Sequence, residues 1–160
     1  LLWMIGKDYK GTVAIKTANL TKERMDVFDF VLLNPTDAAF SLPKKYLYEP
    51  NSAIMKSGGF DALGTHFGLF KLHQHSHLYT SDEIIDFPGR IFEIVRNIGY
   101  NKTDMKTLEN QKANITTRNF PDAVETIRKK WKIKDGGNDY CFFTTDANND
   151  KIVLICAKIK

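Results

Sequence analysis

The sequence lacks any long apolar run. Its most hydrophobic opening, residues 1–5, is broken at once by Gly6 and Lys7. Such a run is too short to cross a membrane or to form the core of a secretory signal. Because the chain does not begin with Met, we expect a fragment of a longer cytoplasmic polypeptide. With 42% apolar residues among 160, it can fold as one medium domain or as two small ones that share a core.

Cysteine is scarce, because only Cys141 and Cys156 are present. Two cysteines exclude the dense disulfide framework of small secreted proteins. Both lie in what the local pattern predicts to be neighbouring strands, so a cross-strand disulfide stays open as an alternative. Two buried thiols in a cytoplasmic protein are the interpretation that the composition favours.

Catalytic motifs are missing as well. No Ser or Cys has a base partner at a recognisable spacing, no carboxylate pair stands out, and no nucleotide-binding loop is present. The stretch "FVLLNPTD" (30–37) follows an apolar strand as an amino-group-binding Asn-Pro turn would, yet Thr36 and Asp37 replace the second Pro and the aromatic residue of that motif. We interpret it as the end of a strand, and we expect this chain itself to be non-catalytic.

Alternating strand and helix patterns fill the chain. β-branched and alternating segments predict strands, and Asn51, Gly58 and Gly68 have the positions of helix caps and stops. The alternation predicts an α/β (α+β) fold with helices packed on a mixed sheet. The predicted strands are 11–20, 25–35, 44–50, 71–80, 90–100, 112–119, 138–146 and 151–159, and the predicted helices are 51–58, 61–67, 102–110 and 120–133.

The helix at 120–133 has the strongest signals. Pro121 suits a first helical turn, and lysines crowd the C-terminal turn, where cations complement the helix dipole. Val124, Ile127 and Trp131 recur at the spacing of a buried stripe. The cations of this helix, including Arg128, are therefore expected in solvent.

Three histidines stand at alternate positions in "KLHQHSHLYT" (71–80). On a strand, His73, His75 and His77 would share one face, and neighbouring imidazoles on that face would lie about 6.6 Å apart, close enough to share a zinc ion. A zinc site needs a third protein ligand at a defined spacing, which the nearby acidic residues do not supply. We predict no metal here and favour a face that donates hydrogen bonds or contacts phosphate.

Positive charge is concentrated in the second half of the chain. Residues 1–84 carry nine Lys or Arg and nine Asp or Glu, whereas residues 85–160 carry fourteen against ten. Within residues 118–134, six cations face two carboxylates. An anionic partner is expected to dock there, although lysines at a helix end also occur only to complement the dipole.

Several phrases carry a resemblance when taken in order: "KYLYEPNSAIMKSGGF", "GLFKLHQHSHLYTSDE", "FPGRIFEI", "TTRNFP" and "KIKDGGNDYCFFTT". They resemble the C-terminal part of a family of bacterial class I SAM-dependent methyltransferases that end in a ferredoxin-like segment and a THUMP-like domain. The resemblance implies a methyltransferase remnant with its terminal hairpin and linker at 1–43, a ferredoxin-like segment at 44–84 and a THUMP-like domain at 85–160.

THUMP domains bind structured RNA, so the resemblance implies a substrate-recognition region of an RNA methyltransferase, with tRNA or rRNA as partner. It also implies a methyltransferase domain in cis, which would bind SAM in the intact protein, and no membrane partner. A structural, protein-interaction or dimerisation module, or a histidine metal-binding domain, are the alternatives. The hypothesised RNA-binding residues are Arg118, Arg128, Lys129, Lys132, Lys134, Lys71, His73, His77 and Arg90.

Overall fold

A computed structural model describes residues 4, 6–22, 24–32 and 37–160. The predicted strand end at Asn34 and Pro35 lies outside these described residues. The first two strands, β1 (Ala14–Leu20) and β2 (Met25–Val31), pair antiparallel as a separate two-stranded sheet. This hairpin confirms the sequence prediction. Phe28 is buried on one face of the hairpin and stacks with Phe30 at a centroid distance of 5.7 Å.

A short α/β segment follows. Its elements are β3 (Tyr46–Pro50), α1 (Ser52–Ser57), α2 (Phe60–Phe67), β4 (Phe70–Lys71) and β5 (Tyr79–Ser81). As predicted, the Asn51 side chain caps α1 by accepting from the backbone N–H groups of Ala53 and Ile54 at 3.0 and 3.1 Å. Gly58 then ends α1 in the left-handed conformation, with φ of 77°, where a side chain would be strained.

The second half of the chain alternates again. Its elements are β6 (Gly89–Gly99), α3 (Lys102–Met105), β7 (Asn114–Arg118), α4 (Val124–Trp131), β8 (Asp139–Thr145) and β9 (Lys151–Lys158). β7 and β8 are parallel and are joined through α4, whereas every other neighbouring pair is antiparallel. The predicted mixed α/β architecture is confirmed.

Both halves share one seven-stranded sheet in the order β4-β5-β3-β6-β9-β8-β7. The long strand β6 joins the halves, because its first part pairs with β3 and its later part pairs with β9. The register of β6 against β9 shifts between Ile94 and Arg96, which marks a bulge at Val95. Bulges bend the strand and increase its twist.

In the part of the chain that the structure describes, three apolar clusters form the core. One lies under α1 and α2, and another lies under α4 and includes Ile127 and Phe143. The third brings Leu47 and Leu72 from the first half together with Phe142 and Leu154 from the second half. The β4–β5 hairpin therefore packs against the sheet of the second half, and residues at its turn are brought close to the ends of β7 and β8.

The helix α4 begins later than the sequence predicts. It starts at Val124, so Pro121 lies before the helix. The preceding residues are engaged elsewhere, because the Phe120 ring packs against Tyr100 and the Asp122 carboxylate accepts the Tyr100 hydroxyl. Of the predicted stripe, Ile127 is fully buried, whereas Val124 and Trp131 are half-buried.

The two cysteines occupy neighbouring strands, but Cys141 faces Ile155 in the register and Cys156 faces Tyr140. They belong to different clusters on opposite faces of the sheet, and both are free. The disulfide alternative is therefore excluded by geometry. Burial raises the pKa of the Cys141 thiol to about 12. No helix in the described part of the chain is long and apolar enough to span a membrane.

Candidate nucleic-acid interface

The histidine-rich stretch is a tight turn and not a strand. Residues 72–78, called the histidine turn below, join β4 to β5, and the Leu72 N–H donates to the Leu78 carbonyl over 3.0 Å. A straight strand would hold these leucines about 20 Å apart. The turn places both of them, fully buried, in the third core cluster. The predicted single face of His73, His75 and His77 is wrong for this reason.

The three imidazoles meet different surroundings. His73 and His75 lie with ring centroids 5.6 Å apart, whereas His77 stacks on Phe60 at 3.6 Å with an angle of 15° between the planes. Within the residues that the structure describes, no three His, Cys, Asp or Glu side chains form a metal-binding group.

His73 connects the histidine turn to the second half of the protein. Its Nε2 lies 3.0 Å from the Asn149 amide oxygen, in the loop between β8 and β9. Its Nδ1 lies 2.9 Å from the Asn119 amide nitrogen, just after β7, and accepts the His75 backbone N–H over 3.1 Å. Since both contacts of Nδ1 involve donors, the imidazole that fits this network is the neutral tautomer with its proton on Nε2. His73 therefore holds the turn against the loops at one end of β7, β8 and β9.

His77 lies in a positively charged setting. Burial, followed by the charges of Lys71 and Arg118, lowers the pKa of His77, while Asp61 opposes this shift. Its Nδ1 is buried and has no hydrogen-bond partner among the described residues. The backbone of His77 is left-handed with φ of 53°, a conformation that non-glycine residues adopt mainly in turns.

Two hypothesised RNA-binding arginines meet at a buried carboxylate. Arg90 Nε donates to Glu49 Oε2 over 2.6 Å, and Arg118 Nη2 donates to Glu49 Oε1 over 2.8 Å. The Glu49 side chain is only 4% exposed, whereas those of Arg90 and Arg118 are 42% and 34% exposed. We call this group the arginine triad. A buried carboxylate needs such partners, because an isolated charge in the interior is strongly unfavourable.

The triad links the two halves of the chain in space. Glu49 belongs to β3 and Arg118 ends β7, at the far edge of the shared sheet. Their ion pair spans 69 positions in sequence. The two arginines are thus committed to a structural carboxylate, and only their exposed edges face solvent. The triad retains a net charge of about +1, because two guanidinium groups surround one carboxylate.

The Lys71 side chain is buried and does not belong to the exposed surface. Its side chain is 4% exposed, and its ammonium lies 2.6 Å from the Asp61 carboxylate. The same ammonium lies 5.7 Å from the centre of the Phe40 ring. A buried lysine that is already paired is not available to a phosphate, so the hypothesis that Lys71 contacts RNA is withdrawn.

Exposed lysines gather where α4 ends. The Lys134 N–H donates to the Gln111 carbonyl over 2.8 Å, and residues 112 and 134 are bridge partners, so the segment before β7 runs beside the end of α4. Lys132 approaches Glu109 only at 3.8 Å and stays 69% exposed. The other members form no ion pair within the described residues. This group, called the basic α4 end, consists of Lys112, Lys129, Lys132 and Lys134, all exposed.

Arg128 differs from these lysines. Its guanidinium donates to Asp135 Oδ1 over 2.5 Å and to the Ala113 carbonyl over 3.2 Å. A further contact to the Ile133 carbonyl measures 3.4 Å. The expectation that Arg128 is a free cation in solvent is wrong, because it ties the end of α4 to the chain on both sides.

The structure divides the hypothesised RNA-binding residues into two groups on opposite faces of the sheet. α4 packs through Ile127 against the face of the sheet that holds Ile115 and Phe143. Arg118 lies on the other face, because side chains alternate along a strand and Ile115 faces α4. Arg118 does not join Arg128 and Lys134 in one continuous basic face. His73, His77, Arg90 and Arg118 belong to one group, and Lys129, Lys132 and Lys134 belong to the other.

Sequence reasoning missed the residues that organise both groups. Glu49 at the centre of the triad had a visible signal, since it is the only charge within the apolar strand "YLYEP". Asn119 and Asn149, which bind His73, had no signal, because their proximity depends on how distant loops pack. Lys112 joins the basic α4 end only through tertiary pairing.

Comparisons with known proteins agree with this architecture. Residues 46–88 match a family model described as a ferredoxin-like domain, and residues 89–158 match one described as THUMP domain-like. The chain therefore combines a ferredoxin-like domain with a THUMP-like domain. The predicted divisions at residues 43 and 84 stay predictions.

One solved structure resembles most of the chain. It is the crystal structure of a "putative methyltransferase" from Porphyromonas gingivalis W83, with 35% sequence identity and a TM-score of 0.82. The match covers 92% of this chain and 38% of that protein, so this chain spans less than half the length of its structural relative. No curated protein matches the sequence significantly.

Proposed function

We propose that this chain is the non-catalytic, RNA-binding substrate-recognition region of a class I SAM-dependent RNA methyltransferase. The observation that carries the proposal is the basic α4 end, where four exposed lysines cluster within the half of the chain that is THUMP-like. Structured RNA, such as tRNA or rRNA, is the partner class that fits.

The proposed contacts are mainly to phosphates. Lysine ammonium groups bind phosphates as point charges on flexible stems, without reading the base sequence. Lys129, Lys132 and Lys134 are exposed, and the nearest carboxylate to Lys132 is 3.8 Å away. Cations without close partners lose little when they move to a phosphate. This distinguishes them from the arginines of the triad.

We propose that this chain does not itself bind SAM. A site of that kind is built where a glycine-rich turn joins a strand to the N-terminus of a helix. Gly58 and Gly59 instead join two helices, and Gly136 and Gly137 precede a strand. We therefore place SAM binding and methyl transfer in the rest of an intact protein, in line with the methyltransferase relative, of which this chain matches 38%.

A second function has its own observation. The β1–β2 hairpin buries Phe28 on one face and exposes an apolar set on the other. Leu20, Met25 and Val27 are 78%, 59% and 52% exposed. Such a contiguous apolar face fits a protein contact. We propose that it packs on a methyltransferase domain in cis, and dimerisation through it is the alternative.

Filter binding of a structured RNA across a salt series tests the RNA-binding proposal. We expect binding that weakens steeply with salt, because each bound phosphate releases condensed counterions. Changing Lys129, Lys132 and Lys134 together to Ala is expected to weaken binding by roughly 1 kcal/mol or more at low salt and to reduce the slope of log K against log salt by roughly 2.

The matched control changes three exposed lysines outside the THUMP-like half, Lys10, Lys22 and Lys56, to Ala. Both triple variants lose the same net charge, so a non-specific charge effect would weaken them equally. Circular dichroism on the same samples verifies that each is folded. Equal losses in the two variants, or no RNA binding by the unchanged protein, would contradict the proposal.

A further inference from the structure

An open hollow lies beside the basic α4 end. It has a volume of about 350 Å³ and is lined by Tyr100, Asn101, Lys102, Lys130 and Trp131. The hollow adjoins the basic α4 end in sequence. Its lining residues Lys130 and Trp131 lie directly between Lys129 and Lys132. None of its lining residues belongs to the basic α4 end itself.

The wall of the hollow is aromatic and fixed in place. Tyr100 meets Phe120 edge to face at 4.8 Å and Trp131 at 6.2 Å. The Tyr100 hydroxyl donates to Asp122 Oδ2 over 2.6 Å, and Trp131 Nε1 donates to the same hydroxyl over 3.4 Å. Both rings are half-buried. A ring that is already held loses little freedom when a ligand stacks on it.

The rim of the hollow is cationic. Lys102 is exposed and forms no ion pair within the described ranges. The Lys130 ammonium lies 5.0 Å from the centre of the Tyr100 ring and 5.6 Å from that of Trp131. Two carboxylates lie beside the hollow. Asp122 accepts the Tyr100 hydroxyl and lies 3.9 Å from Lys130, and Asp104 accepts the Asn101 side-chain amide over 2.6 Å.

We propose that this hollow is a stacking site for one unpaired nucleobase of the bound RNA. The base would stack on Trp131 and meet Tyr100 edge to face, because the planes of the two rings lie 72° apart. Lys102 and Lys130 would contact the phosphates on either side. This inference rests on the proposed RNA-binding function and adds a base-binding position to its phosphate contacts. Bases splayed from RNA loops and ends are commonly recognised by stacking on aromatic side chains beside cationic groups.

In the absence of RNA, the Lys130 ammonium lies over the Tyr100 and Trp131 rings. Its contact with the rings is an exposed cation–π interaction, since the Lys130 side chain is 52% exposed. Such a contact is weaker than the stacking of a base on an aromatic ring. The ammonium can therefore swing aside on its flexible stem and bind a phosphate of the incoming strand. In this exchange Lys130 gives up its contacts with the two rings, its hydrogen bond to the Tyr100 hydroxyl at 3.3 Å and its approach to Asp122 at 3.9 Å, and the complex gains a stacked base and a phosphate contact.

Trp131 fluorescence gives a direct readout. The chain contains two tryptophans, so Trp3→Phe leaves Trp131 as the single reporter. We expect an unstructured oligonucleotide, or a structured RNA with a loop, to quench this fluorescence on binding. A blunt RNA duplex of equal length is expected to bind through phosphates without comparable quenching, because its bases stay stacked.

Two pairs of variants separate stacking from charge. Trp131→Leu is expected to weaken loop-RNA binding by about 5- to 100-fold, and Trp131→Phe by less, because Phe keeps an aromatic face. Lys102→Gln is expected to reduce the salt slope by roughly one phosphate contact. Lys106→Gln, an exposed lysine at the end of α3 that does not line the hollow, is the matched control and is expected to change nothing.

The outcomes distinguish this inference from the function on which it rests. If no RNA binds at low salt, both the proposed function and the stacking site are overturned. If RNA binds while Trp131 fluorescence stays constant and Lys102→Gln equals Lys106→Gln, the stacking site alone is overturned. The Lys102 pair keeps the test decisive if Trp131→Leu fails to fold.

Discussion

The two cationic faces of the protein differ in what surrounds their charges. On one face, Arg90 and Arg118 close on the buried Glu49. At the basic α4 end, Lys129 and Lys134 are exposed and have no carboxylate partner within the described residues. The positive charges of the two faces therefore have different uses. The first set holds two parts of the chain together, and the second set is open to a partner.

This difference shows why charge counted along a sequence is a weak guide to a binding surface. An arginine next to a buried carboxylate stabilises the fold, and removing its partner leaves an unpaired charge in a poorly solvated site. A lysine at an exposed helix end contributes only modestly to stability through the helix dipole. Mutations should therefore separate the faces, with stability lost on one and RNA affinity lost on the other.

Glu49→Gln should have the largest effect on stability. It keeps the shape of the side chain but removes the charge that Arg90 and Arg118 share. We expect a loss of about 3 kcal/mol in the free energy of unfolding, at the low end for a broken buried pair because both arginines are partly solvated. Urea denaturation measures it.

An exposed ion pair provides the control for that change. Asp82 pairs with Lys44 at 2.5 Å, with the Asp82 side chain 70% exposed. Asp82→Asn should cost less than about 1 kcal/mol, as exposed pairs generally do. A Glu49→Gln protein as stable as the Asp82→Asn protein would show that the triad is not a structural centre.

His73→Ala should have the next largest effect. It removes the contacts to Asn119 and Asn149 that hold the histidine turn against the second half of the chain. We expect a loss of about 1 to 2 kcal/mol, since the contacts are partly exposed. His75→Ala, two positions away on the same turn, should cost less than about 0.5 kcal/mol because its side chain is exposed. Equal losses would contradict the assigned role of His73.

His77 should produce the smallest effect, visible as a pH dependence. Its folded pKa is lowered below the ordinary value of 6.5 by burial and by Lys71 and Arg118. The unfolded chain therefore binds more protons than the folded one as the pH falls through that value, and stability declines. The decline levels off below the folded pKa of His77.

His77→Asn removes this titration while tolerating the left-handed backbone at that position. Urea denaturation at about pH 7.5 and about pH 5 should show that the variant loses less stability on acidification than the unchanged protein, although other groups titrate in both. The same loss in both proteins would show that His77 carries no lowered pKa.

Most elements could be predicted from the sequence because their signals are local. Asn51 ahead of an apolar stretch and Gly58 behind it mark α1, and two apolar runs separated by the polar "ANND" mark the hairpin of β8 and β9. The segregation of positive charge into the second half was also visible, because it needs only counting. These features depend on residues close to one another in the chain.

The wrong predictions share one cause, which is contact between segments that are distant in the sequence. The histidine turn has the composition and alternation of a strand, yet burying Leu72 and Leu78 together requires the chain to turn. Arg128 looks solvated on a helical wheel, but Asp135 and two carbonyls beyond the helix enclose it. Partners that arrive from distant segments leave no periodic signal.

The most direct test of the central claim compares the two faces in one experiment. The salt dependence of RNA binding is measured for Arg90→Gln and for the Lys129, Lys132 and Lys134 triple Ala variant, beside the unchanged protein. The account predicts that Arg90→Gln keeps the slope of log K against log salt, whereas the triple variant lowers it by roughly 2. A triple variant with an unchanged slope, together with an Arg90→Gln protein that stays folded and loses slope, would contradict the account and place RNA on the triad face.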